Sequence, residues 1–445
     1  MASNLLRSLG LVSAIAIIPA ATAALAQSDV DTYRELDQFM SVFERVRGEY
    51  VDKVDDKTLM EGAINGMLAS LDPHSSYLDA RGFKAMMTNT EGEYGGLGLS
   101  VTQEDGVVKV IAPTEDTPAF RAGIKAGDYI THLDGKLLYG GSLDEAVDQM
   151  KGAPGTTIKI TVVRPGRDKP FDVTLTRAII ELKAVKWEVK DRIGIINVNT
   201  FNKTTTDGVL SAITAIEKSM GEQKPLGYVL DLRSNPGGLL DEAIGLSDVF
   251  LERGEVVSQR GREKSDIERY YARPGDAAKG LPVIVLVDAG SASAAEIVAG
   301  ALQDHHRAVI MGERTFGKGS VQTLLPLSQE TALRLTTARY FTPSGRSVQE
   351  GGITPDIKVP QLSDPDLADR RVVRESDLRR HLINEVKLDD AVIRDDGKPD
   401  PRFTATAEEL KKKGIEDFQL HYALQTIGRL GKVQTAGVGK PAGSR

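Results

Sequence analysis

The chain has 445 residues, too many for one ordinary hydrophobic core, so two to four domains are expected. Hydrophobic residues make up 40% and charged residues 27%, the balance of a globular protein, and a formal net charge of -7 gives no electrostatic case for binding nucleic acid. Cysteine is absent, which excludes a disulfide framework and a lipid-modified cysteine.

Arg7 precedes an apolar run from Leu9 to Ala23, followed by Ala24-Leu25-Ala26 and Gln27, the small-x-small pattern of a signal peptidase site. Residues 1–26 therefore read as a secretory signal, and the mature chain is expected in the periplasm or otherwise exported. The run is short and holds Pro19, which disfavours an uncleaved membrane anchor. Residues 29–90 read as helical: Tyr33, Leu36, Met40, Phe43 and Val46 recur at helical spacing, and Leu59, Ala63, Ile64, Met67, Leu68 and Leu71 mark a second helix that Asp72-Pro73 ends.

Short alternating strands follow. Leu99 to Val101 and Val107 to Ile111 pair as a hairpin across Asp105-Gly106. Thr117-Pro118-Ala119 opens a short helix with a cap and a first-turn proline, and Ser142-Leu143-Asp144-Glu145 is a capping box for another. Strands around Ile158, Ile160 and Val162 and around Phe171, Val173 and Leu175 close a unit near residue 178. With Gly96-Leu97-Gly98-Leu99 and the stretch Pro118-Ala119-Phe120-Arg121-Ala122-Gly123-Ile124-Lys125-Ala126-Gly127-Asp128, this unit resembles a PDZ domain. The resemblance implies that residues Gly96, Leu97, Gly98 and Leu99 bind a peptide's terminal carboxylate, that the peptide adds as a strand beside residues 99–103, and that the helix from Leu143 to Met150 forms the other wall.

From about 180 to 360, strands and helices alternate as in a mixed α/β core. Ile193 to Val198 and Gly227 to Leu232 are buried-type strands, the second running into the turn Arg233-Ser234-Asn235-Pro236-Gly237-Gly238. The apolar run from Leu281 to Val287 leads through Asp288-Ala289-Gly290-Ser291-Ala292-Ser293 into a helix from Glu296 to Leu302. Ser293 at that helix mouth is either an N-cap or a nucleophile whose alkoxide the helix start would favour. After a strand from Ala308 to Met311 comes the loop of residues 312–320, open to three readings. Gly312 to Lys318 matches the start of a phosphate-binding loop, but Gly319 replaces its hydroxyl residue and a strand, Val321 to Leu325, follows instead of a helix. The loop is otherwise a plain surface loop, or Lys318 serves Ser293 as a base. The other base candidates are the six histidines, of which His74 in Asp72-Pro73-His74-Ser75 could fold back towards the serine, while His305-His306 ends the helix away from it. Neither cysteine nor paired histidines at ligand spacing are present, so no metal or other cofactor is expected.

A lysine acts as a base only when neutral. With an ordinary pKa near 10.4, about one in 2,500 is neutral at pH 7, and bringing it to about 7 to 8 requires about 4 kcal/mol of desolvation. Gln322, four residues on, can orient the amine without adding charge. Beyond Pro360 the chain is charged and proline-spotted, with one amphipathic helix marked by Leu420, Ala423, Leu424, Ile427 and Leu430, and a last dozen residues too poor in apolar side chains to pack.

The turn Gly290-Ser291-Ala292-Ser293-Ala294-Ala295-Glu296, Lys318 25 residues after the serine, Gln322, and the upstream PDZ-like unit together resemble the carboxy-terminal processing proteases, the tail-specific serine peptidases of family S41. Further matching pieces are Gly66-Met67-Leu68-Ala69-Ser70-Leu71-Asp72-Pro73-His74-Ser75, Asp231 to Gly238, and Tyr340-Phe341-Thr342-Pro343-Ser344-Gly345. The resemblance implies Ser293 as nucleophile, Lys318 as general base, Gln322 as its orienter, the backbone N–H groups of Gly238 and Ala294 as the oxyanion hole, and a structural His74. Lys151-Gly152 departs from the Arg-Gly of many relatives, which puts coupling of peptide binding to activation in doubt.

The expected architecture is an α+β multidomain chain: signal 1–26, N-terminal helices 27–90, an inserted PDZ domain 91–178, a crotonase-like mixed α/β serine protease core 179–362, and a helical C-terminal region with a tail, 363–445. The expected function is ATP-independent cleavage of protein substrates with apolar, unstructured C-termini, by a homo-oligomer that an adaptor protein can supply. The alternative is a catalytically silent periplasmic peptide-binding or quality-control protein.

Overall fold

The computed structural model describes residues 18–263, 265–364, 372–386 and 402–437. Most of the expected export signal, residues 1–17, lies outside them. The chain divides into two compact units, Met1–Leu71 and Asp72–Arg445. The first holds helices α1 (Ile18–Glu49) and α2 (Asp56–Ala69), and the carboxylate of Asp55 starts α2 by accepting from the Thr58 N–H at 3.1 Å.

The second unit opens with β1 (Ser76–Leu78), a strand with no counterpart in the helical reading of 29–90, then α3 (Ala80–Glu91), whose first turn Asp79 caps. Next come β2 (Glu93–Gly96), β3 (Leu99–Glu104), β4 (Val107–Pro113), α4 (Pro118–Arg121), β5 (Tyr129–Leu133), β6 (Lys136–Leu137), α5 (Leu143–Met150), β7 (Thr157–Val163) and β8 (Phe171–Thr176). Strands β3, β4, β5, β7 and β8 lie in that order in one sheet, with β6 paired to β5, around a core of Leu97, Val108, Val110, Ile130, Ile158, Ile160 and Val162. β9 (Ala178–Glu181) then pairs antiparallel with β2, so the subdomain leaves beside its entry. Thr117, expected as the cap of α4, makes no cap bond: its hydroxyl donates to the carbonyls of Thr114 at 2.6 Å and Gly98 at 3.3 Å, tying the glycine loop to the helix.

The core continues through β10 (Val185–Lys190), β11 (Ile193–Val198), α6 (Thr205–Ser219), β12 (Gly227–Asp231), α7 (Leu240–Asp248), β13 (Gly254–Arg260), β14 (Ile267–Ala272), β15 (Val283–Val287), α8 (Ala294–Asp304), β16 (Val309–Gly312), β17 (Ser320–Pro326), β18 (Ala332–Phe341) and β19 (Ile357–Lys358), and after it α9 (Ala407–Lys412) and α10 (Phe418–Gly437). One six-stranded sheet runs β10-β11-β12-β15-β16-β19, parallel except at β10. Its central strands are predominantly apolar, with Asn197 and Asp231 near the carboxyl ends of β11 and β12, because both faces are covered. Ile196, Val198, Leu230, Val285, Val287 and Ile310 pack under α6, α7 and α8, while the alternate residues Ile195, Val229, Ile284, Leu286 and Met311 meet Ala423 and Ile427 of α10. The C-terminal helix is therefore a layer of the core. It runs to Gly437, into the stretch expected not to pack; the residues after it lie outside those described. A second sheet joins β1, β18, β13 and β14, with β17 on β18.

Candidate active site

In a parallel sheet the loops after adjacent strands emerge side by side at the carboxyl edge. Here β12, β15 and β16 are neighbours, so the turn of residues 232–239, the serine turn of residues 288–293 and the lysine loop of residues 312–320 meet. Hydrogen bonds fix them together: Ala292 N–H donates to the Asn235 carbonyl at 2.9 Å, Ser234 N–H to the Asp288 carboxylate at 2.8 Å, and Phe316 N–H to the Ser291 carbonyl at 3.0 Å. Ser291 is buried and shapes the turn, its hydroxyl donating to the Leu232 carbonyl at 2.8 Å and accepting from Asp288 N–H at 3.0 Å.

Ser293 sits between them with φ 55° and ψ -112°, a backbone state that costs a non-glycine residue energy and aims its side chain out of the turn. It is the N-cap residue of α8: Glu296 N–H donates to the Ser293 carbonyl at 2.8 Å, and the Glu296 carboxylate accepts the Ser293 N–H at 2.8 Å. Gly237 packs against it, and a Cβ there would lie 2.9 Å from both the Ser293 Cβ and the Ala294 nitrogen. The N–H of Gly237 is taken by the Asn235 side chain at 2.8 Å, whereas those of Gly238 and Ala294 have no acceptor among the described residues. Two backbone donors, one on the residue after Ser293 and one on the residue after Gly237, thus have no partner among the described residues.

The Lys318 amine donates to the Gln322 side-chain oxygen Oε1 at 2.5 Å. The Gln322 amide donates in turn to Ser320 at 3.0 Å and Thr336 at 3.2 Å, and Thr336 donates to Asp72 at 3.1 Å. Asp72 also receives Ser75 Oγ at 2.7 Å and the His74 and Ser75 N–H groups, so the Asp72-Pro73-His74-Ser75 motif buttresses Gln322. Burial lowers the Lys318 amine from its ordinary 10.5 to about 8, with Arg334 pushing the same way and Glu375, Glu296 and Asp72 opposing. No hydrogen bond joins the Ser293 hydroxyl and the Lys318 amine. His74 instead faces Glu375, with Nε2 at 2.8 and 3.0 Å from its two oxygens. His305 Nε2 meets the Glu255 carbonyl at 2.7 Å, which ties the end of α8 to β13 and leaves it away from the serine. β17 follows the lysine loop directly, without the helix a phosphate-binding loop needs.

Two residues of the site were not singled out from the sequence. Glu296 is fully buried, and its carboxylate accepts four bonds: from Ser293 N–H at 2.8 Å and Lys318 N–H at 2.9 Å on one oxygen, from Thr315 Oγ1 at 2.5 Å and Gly317 N–H at 2.7 Å on the other. One side chain thereby holds the backbones of both Ser293 and Lys318. Burial pushes its pKa up to about 7 against those four bonds. The signal was present as Ser293-Ala294-Ala295-Glu296, the spacing of a capping box. Tyr340 makes a parallel link, its buried hydroxyl donating to the Lys318 carbonyl and to the Ser293 carbonyl at 3.1 Å.

In the small subdomain, among the described residues, β3 pairs only with β4, leaving one edge open to an added strand. Leu97 belongs to that subdomain's core at 3% exposure, Gly98 holds φ 75°, and Leu99 is part-buried at the free edge. Gly96 ends β2. Lys151 stands 5.4 Å over the Tyr94 ring, a cation–π contact that a compact ammonium can make. Among the described residues no cluster of His, Asp and Glu could hold a metal ion.

Residues 192–359 match the model of peptidase family S41, residues 95–175 that of the PDZ domain, and residues 16–82 that of the activating protease CtpB N-terminal domain. A carboxy-terminal-processing protease of Bartonella bacilliformis is 50% identical over 381 residues, covering 85% of this chain and 88% of that one. The chain belongs to this family. The carboxy-terminal processing protease CtpB of Bacillus subtilis is 34% identical over 347 residues, 77% of this chain and 71% of the relative. A solved photosystem II D1 C-terminal processing protease is 30% identical and covers 74% of this chain and 94% of its own, with a TM-score of 0.42. As a carboxy-terminal processing protease the chain carries its PDZ domain before the S41 span, and that span contains Ser293, Lys318, Gln322 and Glu296 but stops short of Glu375.

Proposed function

We propose that this protein is an exported, ATP-independent serine endopeptidase that captures unstructured C-terminal tails in its PDZ groove and cleaves within them by a Ser293–Lys318 dyad. Neutral Lys318 takes the Ser293 proton, the alkoxide attacks the scissile carbonyl, and the N–H groups of Gly238 and Ala294 meet the oxyanion. The lysine ammonium then protonates the departing amine, and water releases the acyl group. What carries the reading is the part-buried lysine held by an uncharged amide: at a pKa of about 8, about one amine in ten is neutral at pH 7, against about one in 3,000 at 10.5.

Tails with apolar ends suit a PDZ groove edged by Leu99. The export half rests on Arg7, the apolar run to Ala23 and Ala24-Leu25-Ala26, and a mature N-terminus at Gln27 would support it. Self-association and an adaptor that delivers substrate belong to the same proposal. To test the dyad, the purified protein is mixed with a peptide ending in apolar residues and the cleavage products are followed by mass. Ser293→Ala and Lys318→Ala should each abolish trimming; a Lys318→Ala variant that trims like the parent sinks the dyad.

One observation favours a latent form over an always-ready one: the serine and lysine are not hydrogen-bonded to each other at rest, a bond that commonly tightens only with substrate bound. A lag in trimming that a PDZ-binding peptide removes would support latency. Tight peptide capture with no cleavage under any condition would favour the silent-binder alternative.

A further inference from the structure

The loop that carries Lys318 is irregular backbone at a part-buried site, so each of its polar groups needs a partner. From Thr315 to Gly319 the accounting on the donor side is complete within the S41 span. Thr315 N–H donates to the Ile353 carbonyl, Phe316 N–H to Ser291, Gly317 and Lys318 N–H to Glu296, and Gly319 N–H to the Gln349 side chain. On the acceptor side the Gly317, Lys318 and Gly319 carbonyls receive Glu350 N–H, the Tyr340 hydroxyl and Tyr340 N–H. The preceding three carbonyls are met from elsewhere. Arg374 Nη1 donates to the Arg314 carbonyl at 2.7 Å and the Thr315 carbonyl at 2.9 Å, and Glu375 N–H donates to the Phe316 carbonyl at 3.1 Å. Both residues lie on residues 372–386, beyond the family-matched span.

That segment is fastened at several points. The Glu375 side chain, fully buried, faces His74 and receives the Gln349 amide at 3.1 Å; Gln349 also donates to the Leu382 carbonyl at 2.8 Å while its oxygen holds Gly319. Asn384 donates its side-chain amide to the Gln349 carbonyl and its N–H to Glu350, each at 2.7 Å, and His381 meets Glu350 at 2.9 Å. The bonds converge on the two residues, Gln349 and Glu350, whose other contacts are Gly319 and Gly317, the neighbours of Lys318 on either side.

We propose that Glu375 is a positioning residue for Lys318, and that residues 372–386 act as a strap that fixes the base loop from behind, through the Phe316 carbonyl, Gln349 and His74. This rests on Lys318 being the base. The carboxylate has a second effect: it is one of three negative groups opposing the loss of the Lys318 proton, with Glu296 on α8 and Asp72 before β1, while Arg334 on β18 acts the other way. Around Glu375 itself stand His74, Lys318, Tyr340 on β18 and His381. Its removal therefore does two separable things. It loosens the loop, and it makes the lysine easier to deprotonate.

The test compares the full-length parent with Glu375→Gln, which keeps shape and loses charge, and with Lys318→Ala, measuring tail-peptide cleavage across pH. Glu375→Gln should lower kcat about ten-fold with KM within about two-fold, and move the acid limb of the pH profile to lower pH. A purely structural role would scale activity with the folded fraction and leave the limb in place. If Lys318→Ala is inactive while Glu375→Gln matches the parent in kcat and limb, the positioning proposal is overturned; an active Lys318→Ala overturns the dyad instead. Should Glu375→Gln not fold, Glu375→Asp keeps the charge but not the reach: kcat per folded molecule, with the folded fraction taken from an unfolding curve, down with KM and the limb unmoved supports the strap, and a parental kcat per folded molecule overturns it.

Discussion

Replacing Glu296 by glutamine separates what this residue does for the fold from what it does for the site. The carboxylate accepts four bonds from Ser293, Thr315, Gly317 and Lys318, and glutamine offers one oxygen where there were two, so at least two buried donors are orphaned. At about 1–3 kcal/mol each, that costs about 2–6 kcal/mol. An opposite effect comes from the charge. The folded pKa of about 7 lies above the ordinary 4.5, so the ionised carboxylate is a burden of about 3 kcal/mol carried above about pH 7 and absent below about pH 4.5. Glutamine is free of it. At pH 8 the two effects largely offset, and the variant should stay folded, with a stability within about 3 kcal/mol of the parent. Geometry has no such compensation. The donors are the N–H groups of Ser293, Gly317 and Lys318 and the Thr315 hydroxyl, which hold the proposed nucleophile and base loop, and displacement by about 1 Å typically costs about 100-fold in rate. Glu296→Gln should therefore lower kcat about 100-fold with little change in KM, read by mass spectrometry of a trimmed tail peptide beside a thermal unfolding curve. A folded variant with kcat within about three-fold of the parent would refute the clamp.

With Lys318 as base, the neutral amine is the active form, so kcat/KM of the parent should rise about ten-fold per pH unit up to about pH 8 and flatten above it. Below about pH 7 protonation of Glu296 joins in and the slope should steepen towards two; a profile flat from pH 6 to 9 contradicts both assignments. Gly237→Ala places a methyl group 2.9 Å from the Ser293 Cβ and the Ala294 nitrogen at φ 96°, and should destabilise by about 1–3 kcal/mol and cut kcat at least about 100-fold; unfolding curves and cleavage rates that match the parent would show the turn has room.

Much of this architecture was legible because local chemistry and tertiary outcome agree. The apolar run before Asp288 reads as a buried strand and is one covered on both faces, the glycine and small residues after it form a tight turn, and Asp105-Gly106 a hairpin. Ser293, Lys318 and Gln322 could be named because their spacing resembles that of a known family, and the Lys318–Gln322 bond is one that a strand-adjacent spacing of four permits. Glu296 went unnamed although its capping-box spacing was visible, since a capping box predicts a helix start and says nothing of a second loop donating to the same carboxylate.

The sequence by itself determined many of the elements, their order and the residue types available for acyl transfer, though not β1, because propensity, periodicity and turn chemistry act over a few neighbouring positions. Tertiary structure alone decided that β12, β15 and β16 lie side by side, and so that turns more than 50 residues apart share one site. It also decided that α10 is a layer of the core and that Glu375 stands behind Lys318 opposite His74, 301 residues away in sequence. A charged, proline-spotted stretch carries no local sign of such a contact: burial of its carboxylate depends on partners that only the closed fold assembles.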